Sequence, residues 1–252
     1  EFLTASSFIK LIDSLSFNER ENLIYNEFEK GNIPSYYRNL INIKSKFFDA
    51  QGNEHELVYQ VMPDYLAIGS DEDYCRIPMS PITAQKIADL YGAILPTPKL
   101  VDDIYKNSSI KLEPVTYYPK DNNNEKIFMF VKHNAAIDSQ LTSESYKQGD
   151  LIGGIKKDVV ICGLLADTNR VNHVSIYGWH RLDGKAIQPL TNIHKNSYVD
   201  YSHGVRLINN EALLDGKIIK ISDLLKDKIL YKIVSDEDIP LMETQYLQQI
   251  HQ

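Results

Sequence analysis

Apolar and polar residues alternate with two different periods along this chain, and the places where the period changes mark its elements. Ser16-Phe17-Asn18-Glu19 has the capping-box pattern, in which a Ser and a Glu three residues on each satisfy a free amide at a helix start. Phe17, Ile24 and Phe28 then recur at helical spacing until Gly31 ends the run. A shorter helix near 7–15 precedes it, so the first part reads as a helical hairpin. It is expected to pack on a sheet, the other use of such a hairpin being a partner-binding arm. Over 42–68 the pattern turns to β. Phe47-Phe48 and Leu57-Val58-Tyr59 flank Asp49-Ala50-Gln51-Gly52-Asn53, a run of turn formers. Ser80-Pro81 and Thr97-Pro98 each put a proline in the first turn of a helix. The apolar faces are Ala84, Ile87, Ala88 and Tyr91, stopped by Gly92, and then Leu100, Val101, Ile104 and Tyr105. Residues 78–107 therefore predict two consecutive helices. The DNA-reading form of that motif needs a basic second helix, whereas this one carries Asp102 and Asp103 and is read as scaffold.

Residues 118–126 are polar and rich in turn formers, which suits an exposed loop or an internal boundary. Beyond it the pattern is mostly β, with strands predicted at 127–131, 158–164, 171–177 and 204–208. Ser222 is expected to cap a short helix, and the tail from Glu237 is expected to be helical and peripheral. Strands and helices do not alternate regularly. The expectation is an α+β fold in a single domain over 1–252, with an N-terminal helical layer and a helical hairpin packed on a mixed or antiparallel sheet. Within it, 1–117 is the helix-rich part with a β-hairpin and 127–235 the β-rich part that carries the candidate site.

Composition narrows the classes. The net charge of -7 argues against duplex nucleic acid as the main partner, because phosphate binding rests on Lys and Arg. No run of about 18 apolar residues exists, so no transmembrane segment is expected. The first residues, Glu1-Phe2-Leu3, lack both an initiator Met and the features of a signal peptide, and an export signal is expected to have been removed. Cys75 and Cys162 lack CxxC spacing and read as two buried thiols or one disulfide. Most of the 16 tyrosines suit helix faces and strands, but Tyr177, Tyr198 and Tyr201 lie beside the only Trp and a run of histidines.

That run is where chemistry is expected. Four of the seven histidines fall between 173 and 203, and His133 lies just upstream. Glycines punctuate the stretch. A histidine exchanges protons near neutrality, a buried aspartate fixes its tautomer, and a Lys or Arg stabilises a developing anion. The expected roles are proton transfer and orientation for Asp158, His180 and His203, with Lys157 and Arg206 holding an anionic group. Ser202 is the candidate nucleophile if the mechanism is covalent. Tyr177 and Trp179 line the pocket, with His133, His194 and Tyr201 as further substrate contacts. The bland alternative is a core finished by hydrogen-bonded His and Tyr. No HExxH, Walker or GxSxG pattern is present. No cofactor is expected, although His133, Asp158, His180 and His203 are residue types a divalent metal such as zinc accepts.

Six blocks together resemble a family of uncharacterised, exported bacterial proteins. They are Met62-Pro63-Asp64-Tyr65-Leu66-Ala67-Ile68-Gly69, Leu95-Pro96-Thr97 with Val101-Asp102, Lys156-Lys157-Asp158-Val159-Val160, Ile176-Tyr177-Gly178-Trp179-His180, Ile187-Gln188-Pro189-Leu190 and Tyr201-Ser202-His203-Gly204-Val205-Arg206. The likeness spans about 34–238. It implies one bacterial domain in a secreted or periplasmic setting and assigns no catalytic roles. The expected function is hydrolysis of a cell-envelope or extracellular polymer, such as a glycan or peptidoglycan, by His/Asp acid–base chemistry. The alternatives are a non-catalytic carbohydrate- or envelope-binding module and a polysaccharide lyase with a Tyr or His base. The partner in each case is a polymeric or small-molecule substrate.

Overall fold

A computed structural model describes residues 2–118, 123–142 and 145–247. The chain opens with α1 (Ala5–Ile12) and α2 (Phe17–Glu29), which form the expected hairpin. Thr4 caps α1, and the capping box at Ser16 and Glu19 is made. A cap of this kind contributes about 1 kcal/mol. The β-hairpin follows as β1 (Ile41–Phe48) and β2 (Glu54–Val61), paired from Ile41↔Val61 to Phe48↔Glu54. Asp49 accepts hydrogen bonds from the amides of Gln51 and Asn53, which closes the turn. A short antiparallel pair, β3 (Ala67–Gly69) and β4 (Tyr74–Arg76), comes next. Then α3 (Pro81–Leu90), β5 (Ala93–Ile94) and α4 (Pro98–Asn107) occupy the region read as two helices. Ser80 and Thr97 are their caps, as expected.

The second half departs from expectation at its first element. After β6 (Ile110–Lys111), residues 127–131 are not a strand but the start of α5 (Ile127–Gln140). Five apolar residues do not define a period. Ile127, Phe130, His133, Asn134 and Ile137 are buried along one helical face, and that longer register decides the element. Then come β7 (Ile152–Gly153), β8 (Lys157–Val159), β9 (Ile176–His180), β10 (Ala186–Thr191), β11 (His203–Gly204) and β12 (Ile208–Asn209). The chain ends through β13 (Glu211–Leu214), β14 (Lys217–Lys220) and α6 (Ile221–Leu224). The expected strand at 158–164 stops at Val159, and that at 171–177 begins only at Ile176. Ser222 lies inside α6, whose cap position is Lys220. The expected C-terminal helix is absent over 237–247, where Pro240 removes an amide donor. The tail instead binds the body through Tyr246, whose hydroxyl donates to Val160 O at 2.7 Å and accepts from Ser175 N at 3.0 Å. Of the polar stretch at 118–126, 119–122 lie outside the described residues, Tyr118 is exposed and Asn123–Glu125 form a 3-10 turn.

The result is a single α+β domain. Six strands form one sheet in the order β14-β13-β2-β12-β5, with β1 added on β2. Strands from both ends of the chain therefore share one sheet, which interleaves the helix-rich and β-rich parts. Four strands form a second sheet, β10-β9-β8-β11, antiparallel except for the parallel β8–β11 pair. One apolar core runs through the molecule, from Phe8 and Phe28 through Tyr59 and Phe130 to Ile176, Ile208 and Leu224. The expected strand at 204–208 is a crossover between the two sheets. Arg206 fastens it, donating to the carbonyls of Met62 and Pro63 at 3.0 Å each and of Ile152 at 2.6 Å. Cys75 and Cys162 are free and buried. Among the described residues no helix is long and apolar enough to cross a membrane.

Candidate functional site

The four-stranded sheet carries most of the residues singled out in the sequence and divides them into two groups. The first lies against α4. His180, at the end of β9, is buried, and its Nε2 sits 2.8 Å from Asp102 Oδ1. A carboxylate accepts only, so Nε2 carries the proton and Nδ1 is left as the ring's acceptor. No hydrogen bond joins Nδ1 to the protein among the described residues. The imidazole stacks on Tyr105, with ring centroids 4.4 Å apart and planes 14° apart. Tyr177 donates its hydroxyl to the other oxygen of Asp102, at 3.1 Å. Burial, with Asp102 adding to it, pushes the Tyr177 hydroxyl well above its ordinary value. The Asp102 side chain is 45% exposed, so the pair is buried at the histidine and open at the carboxylate.

Asp158 completes this group. It is buried on β8, and Tyr65 donates to its Oδ2 at 2.8 Å. Burial raises its carboxyl to about 6, against the opposing pull of Arg206. Gly178 lies between Asp158 and His180. A β-carbon there would stand 3.3 Å from Asp158 Oδ2, 3.6 Å from His180 Cε1 and 3.1 Å from Val101 Cγ1. Its φ of +102° is also one that L-residues rarely adopt, so glycine is required on both counts.

The second group faces α5 and is sealed. His133 and Lys156 are buried side by side, His133 Nδ1 lying 3.1 Å from Lys156 Nζ, which also donates to Tyr201 O at 2.6 Å. Burial lowers His133 to about 2 and Lys156 to about 7, so the histidine is neutral near pH 7. Trp179, buried beside them, adopts φ 57°, and Lys157 Nζ lies 5.0 Å from its ring centroid. Lys157 is also 4.0 Å from Asp200 Oδ2. Burial keeps His203 uncharged well below its ordinary value, although Asp200 pulls the other way. Burial works to raise Asp200, but His203, Lys157 and the Ser202 donors hold it below the usual carboxylate range. With His203 neutral, Lys157 and Ser202 carry that effect.

Ser202 gives both its hydroxyl and its amide to Asp200 Oδ1, and among the described residues no hydrogen bond joins it to a histidine ring. Arg206 is spent on the three carbonyls of the crossover and lies over the Tyr65 ring at 4.3 Å. Tyr201 is buried, its hydroxyl accepting from Tyr117 N at 2.8 Å. His194 is exposed and stacks on Tyr198 at 4.3 Å. Among the described residues no three His, Cys, Asp or Glu side chains converge as metal ligands, so His133, Asp158, His180 and His203 do not form a metal centre here.

Sequence reasoning missed Asp102, Tyr105, Tyr65 and Lys156. The signal for Asp102 is its i,i+3 spacing to Tyr105, which places both beside the apolar stripe of α4. Lys156 carried a signal too: neighbours along extended chain point to opposite sides, so two adjacent lysines cannot share one surface. Three of the six blocks meet in the structure. Arg206 and Tyr65 tie 62–69, 156–160 and 201–206 into one knot, and Asp64 within it pairs with buried Arg76 at 2.6 Å. Gly204 is part of that knot, since a β-carbon would stand 2.5 Å from the Tyr65 ring and 2.6 Å from Lys156 Cβ.

Comparison with known proteins adds no relative: no protein-family model, no curated protein and no solved structure matches the chain.

Proposed function

We propose that this protein is a hydrolase of an extracellular or cell-envelope polymer, a glycan or peptidoglycan, acting by acid–base chemistry at His180, Asp102 and Asp158. The observation that carries the reading is the pairing of an aspartate-oriented imidazole with a second carboxyl whose proton is retained to about pH 6, the two meeting across Gly178. His180 Nδ1 takes the proton from water, and Asp102 stabilises the imidazolium that forms. Asp158 in its protonated form supplies the proton to the leaving group. Two carboxyls in unlike surroundings divide acid and base work in this way. The bacterial, exported setting comes only from the resemblance of the blocks.

The lyase alternative relies on a tyrosine or histidine base. The raised hydroxyls of Tyr177 and Tyr201 favour His180 over either of them as the base. The binding-module alternative relies on Trp179 as a platform, and that ring is 5% exposed.

The test is turnover on fractionated envelope glycans and peptidoglycan fragments, followed by release of reducing ends or free amines. His180→Ala should lower the rate by about 10²–10⁴-fold with the fold retained. Full turnover in a folded His180→Ala protein would remove the assignment, and a new ultraviolet absorbance in the products would identify a lyase instead.

A further inference from the structure

A second site lies apart from these residues. A cavity of about 450 Å³ opens between the end of α2, the 3-10 turn Ser35–Arg38 and strands β5 and β12. This volume is within the range of about 300–1,000 Å³ that small-molecule sites occupy. Its wall is mostly apolar: Ile33, Leu40, Ala93 and the Tyr91 ring are half-buried there, and Met62 lies deeper. Arg38 is the one charged residue of the lining among the described residues, and it is exposed. Its Nη2 donates to Gly31 O at 2.9 Å, which pins the guanidinium at a residue of the cavity wall. It makes no ion pair among the described residues, and Asp71, across the same turn, accepts from both the amide and the hydroxyl of Ser35. The other polar groups of the wall are committed. Tyr91 donates its hydroxyl to Phe28 O, and the Asn209 side chain donates to Gln60 Oε1 and accepts from Glu211 N.

We propose that this cavity binds a small carboxylic acid with an apolar body, its carboxylate on the Arg38 guanidinium. A guanidinium has five N–H donors in a fixed fork, and the Gly31 carbonyl leaves enough of them free for a carboxylate. The apolar wall then covers the body of the ligand. The end of α2 does not oppose an anion, because the carbonyls of Asn26, Glu27 and Phe28 already accept from the amides of Lys30, Asn32 and Gly31. An ammonium ligand would meet Arg38 as a like charge. A sugar would set its hydroxyls against apolar side chains, and a phosphate dianion would carry one charge more than Arg38 neutralises. The inference does not depend on the reading of His180, because no residue of that group lines the cavity.

Titration of methyl-¹³C- and ¹⁵N-labelled protein at pH 7 with octanoate and 3-phenylpropionate tests it, with octanol and octylamine as controls. At least one of the two acids should give saturable shifts at the Ile33 and Leu40 methyls and at Arg38 Nε–H, with a dissociation constant of about 0.1–1 mM. Octanol should bind at least about five-fold more weakly than octanoate, and octylamine more weakly still. Arg38→Gln, at an exposed position that leaves the core untouched, should weaken binding of the acid by about five- to ten-fold. Leu40→Ser should weaken octanol and octanoate alike, which separates the apolar wall from the charge. His180→Ala should leave binding unchanged, which separates this site from the acid–base proposal. Absence of a saturable response to both acids overturns the inference. So does octanol or octylamine binding as tightly as octanoate, or acid binding undiminished in Arg38→Gln.

Discussion

The α4 side and the α5 side of the four-stranded sheet hold similar residues in unlike surroundings. Each has a histidine, an aspartate and tyrosines. On the α4 side His180 is held by Asp102, which is half open to water, and Asp158 lies next to it. On the α5 side His133 and His203 are sealed and held uncharged by burial, and burial brings Lys156 down to about 7. The lesson is that a cluster of titratable side chains does not define a reaction centre. Access to water and a partner that orients the proton separate the two groups, and neither can be read from residue type.

Several measurements would break or sharpen this contrast. The largest effect is expected from the knot that holds both groups in place. Arg206→Leu leaves three buried carbonyls without their donor and should cost about 3–5 kcal/mol in urea unfolding. A loss below about 1 kcal/mol would mean that Arg206 is not a structural residue. Asp102→Asn removes the acceptor that sets the His180 tautomer and should lower turnover by roughly 10–100-fold with little change in stability. The same substitution at Asp200 should reverse the pattern, lowering stability more than turnover.

The sealed group also makes a pH prediction. His133 is protonated below about 6.5 when unfolded but only near 2 when folded, so the unfolded chain binds more protons between those values. Its contribution to stability is present above pH 6.5 and is lost on acidification. Asp158 works the other way: its folded form keeps a proton to about 6, so between about 4 and 6 stability falls as pH rises. The two buried histidines outweigh the one aspartate, and stability should drop by about 2 kcal/mol from pH 7 to 5. Asp158→Asn removes the opposing contribution, so the drop should become steeper; an unchanged slope would place the Asp158 carboxyl at an ordinary value. The same variant should lose the alkaline decline in turnover that begins near pH 6. Gly178→Ala should cost about 1–3 kcal/mol through its positive φ and the contact with Val101. The smallest effect is expected at Lys157, where replacement by Ala should cost under about 1 kcal/mol and leave turnover unchanged. A large loss of turnover there would move the chemistry to the α5 side.

Local chemistry made much of the fold legible. The capping box at Ser16, the prolines at 81 and 98 and the turn at 49–53 all specify their elements through neighbours a few residues away, and each element formed. The failures share a cause. Residues 127–131 show no period of their own, and the helix is visible only from its continuation to Ile137. The 204–208 run crosses between two sheets, with Arg206 fastening it, which no local pattern encodes. At the site, the sequence pointed to the stretch that carries Asp158 and His180 but not to the helix that supplies Asp102.

What the sequence settled, then, was the α+β class, the caps and turns, and the concentration of His, Asp and Tyr around the four-stranded sheet. These depend on side chains acting over one or two turns of backbone. Which histidine meets which carboxylate was decided only by tertiary packing. Asp102 and His180 are 78 residues apart and Tyr65 and Asp158 are 93 apart, and each pair is joined by the docking of separate elements. Burial is a property of that docking as well. It turns Lys156 and Asp158, ordinary surface residue types, into groups that titrate near neutrality.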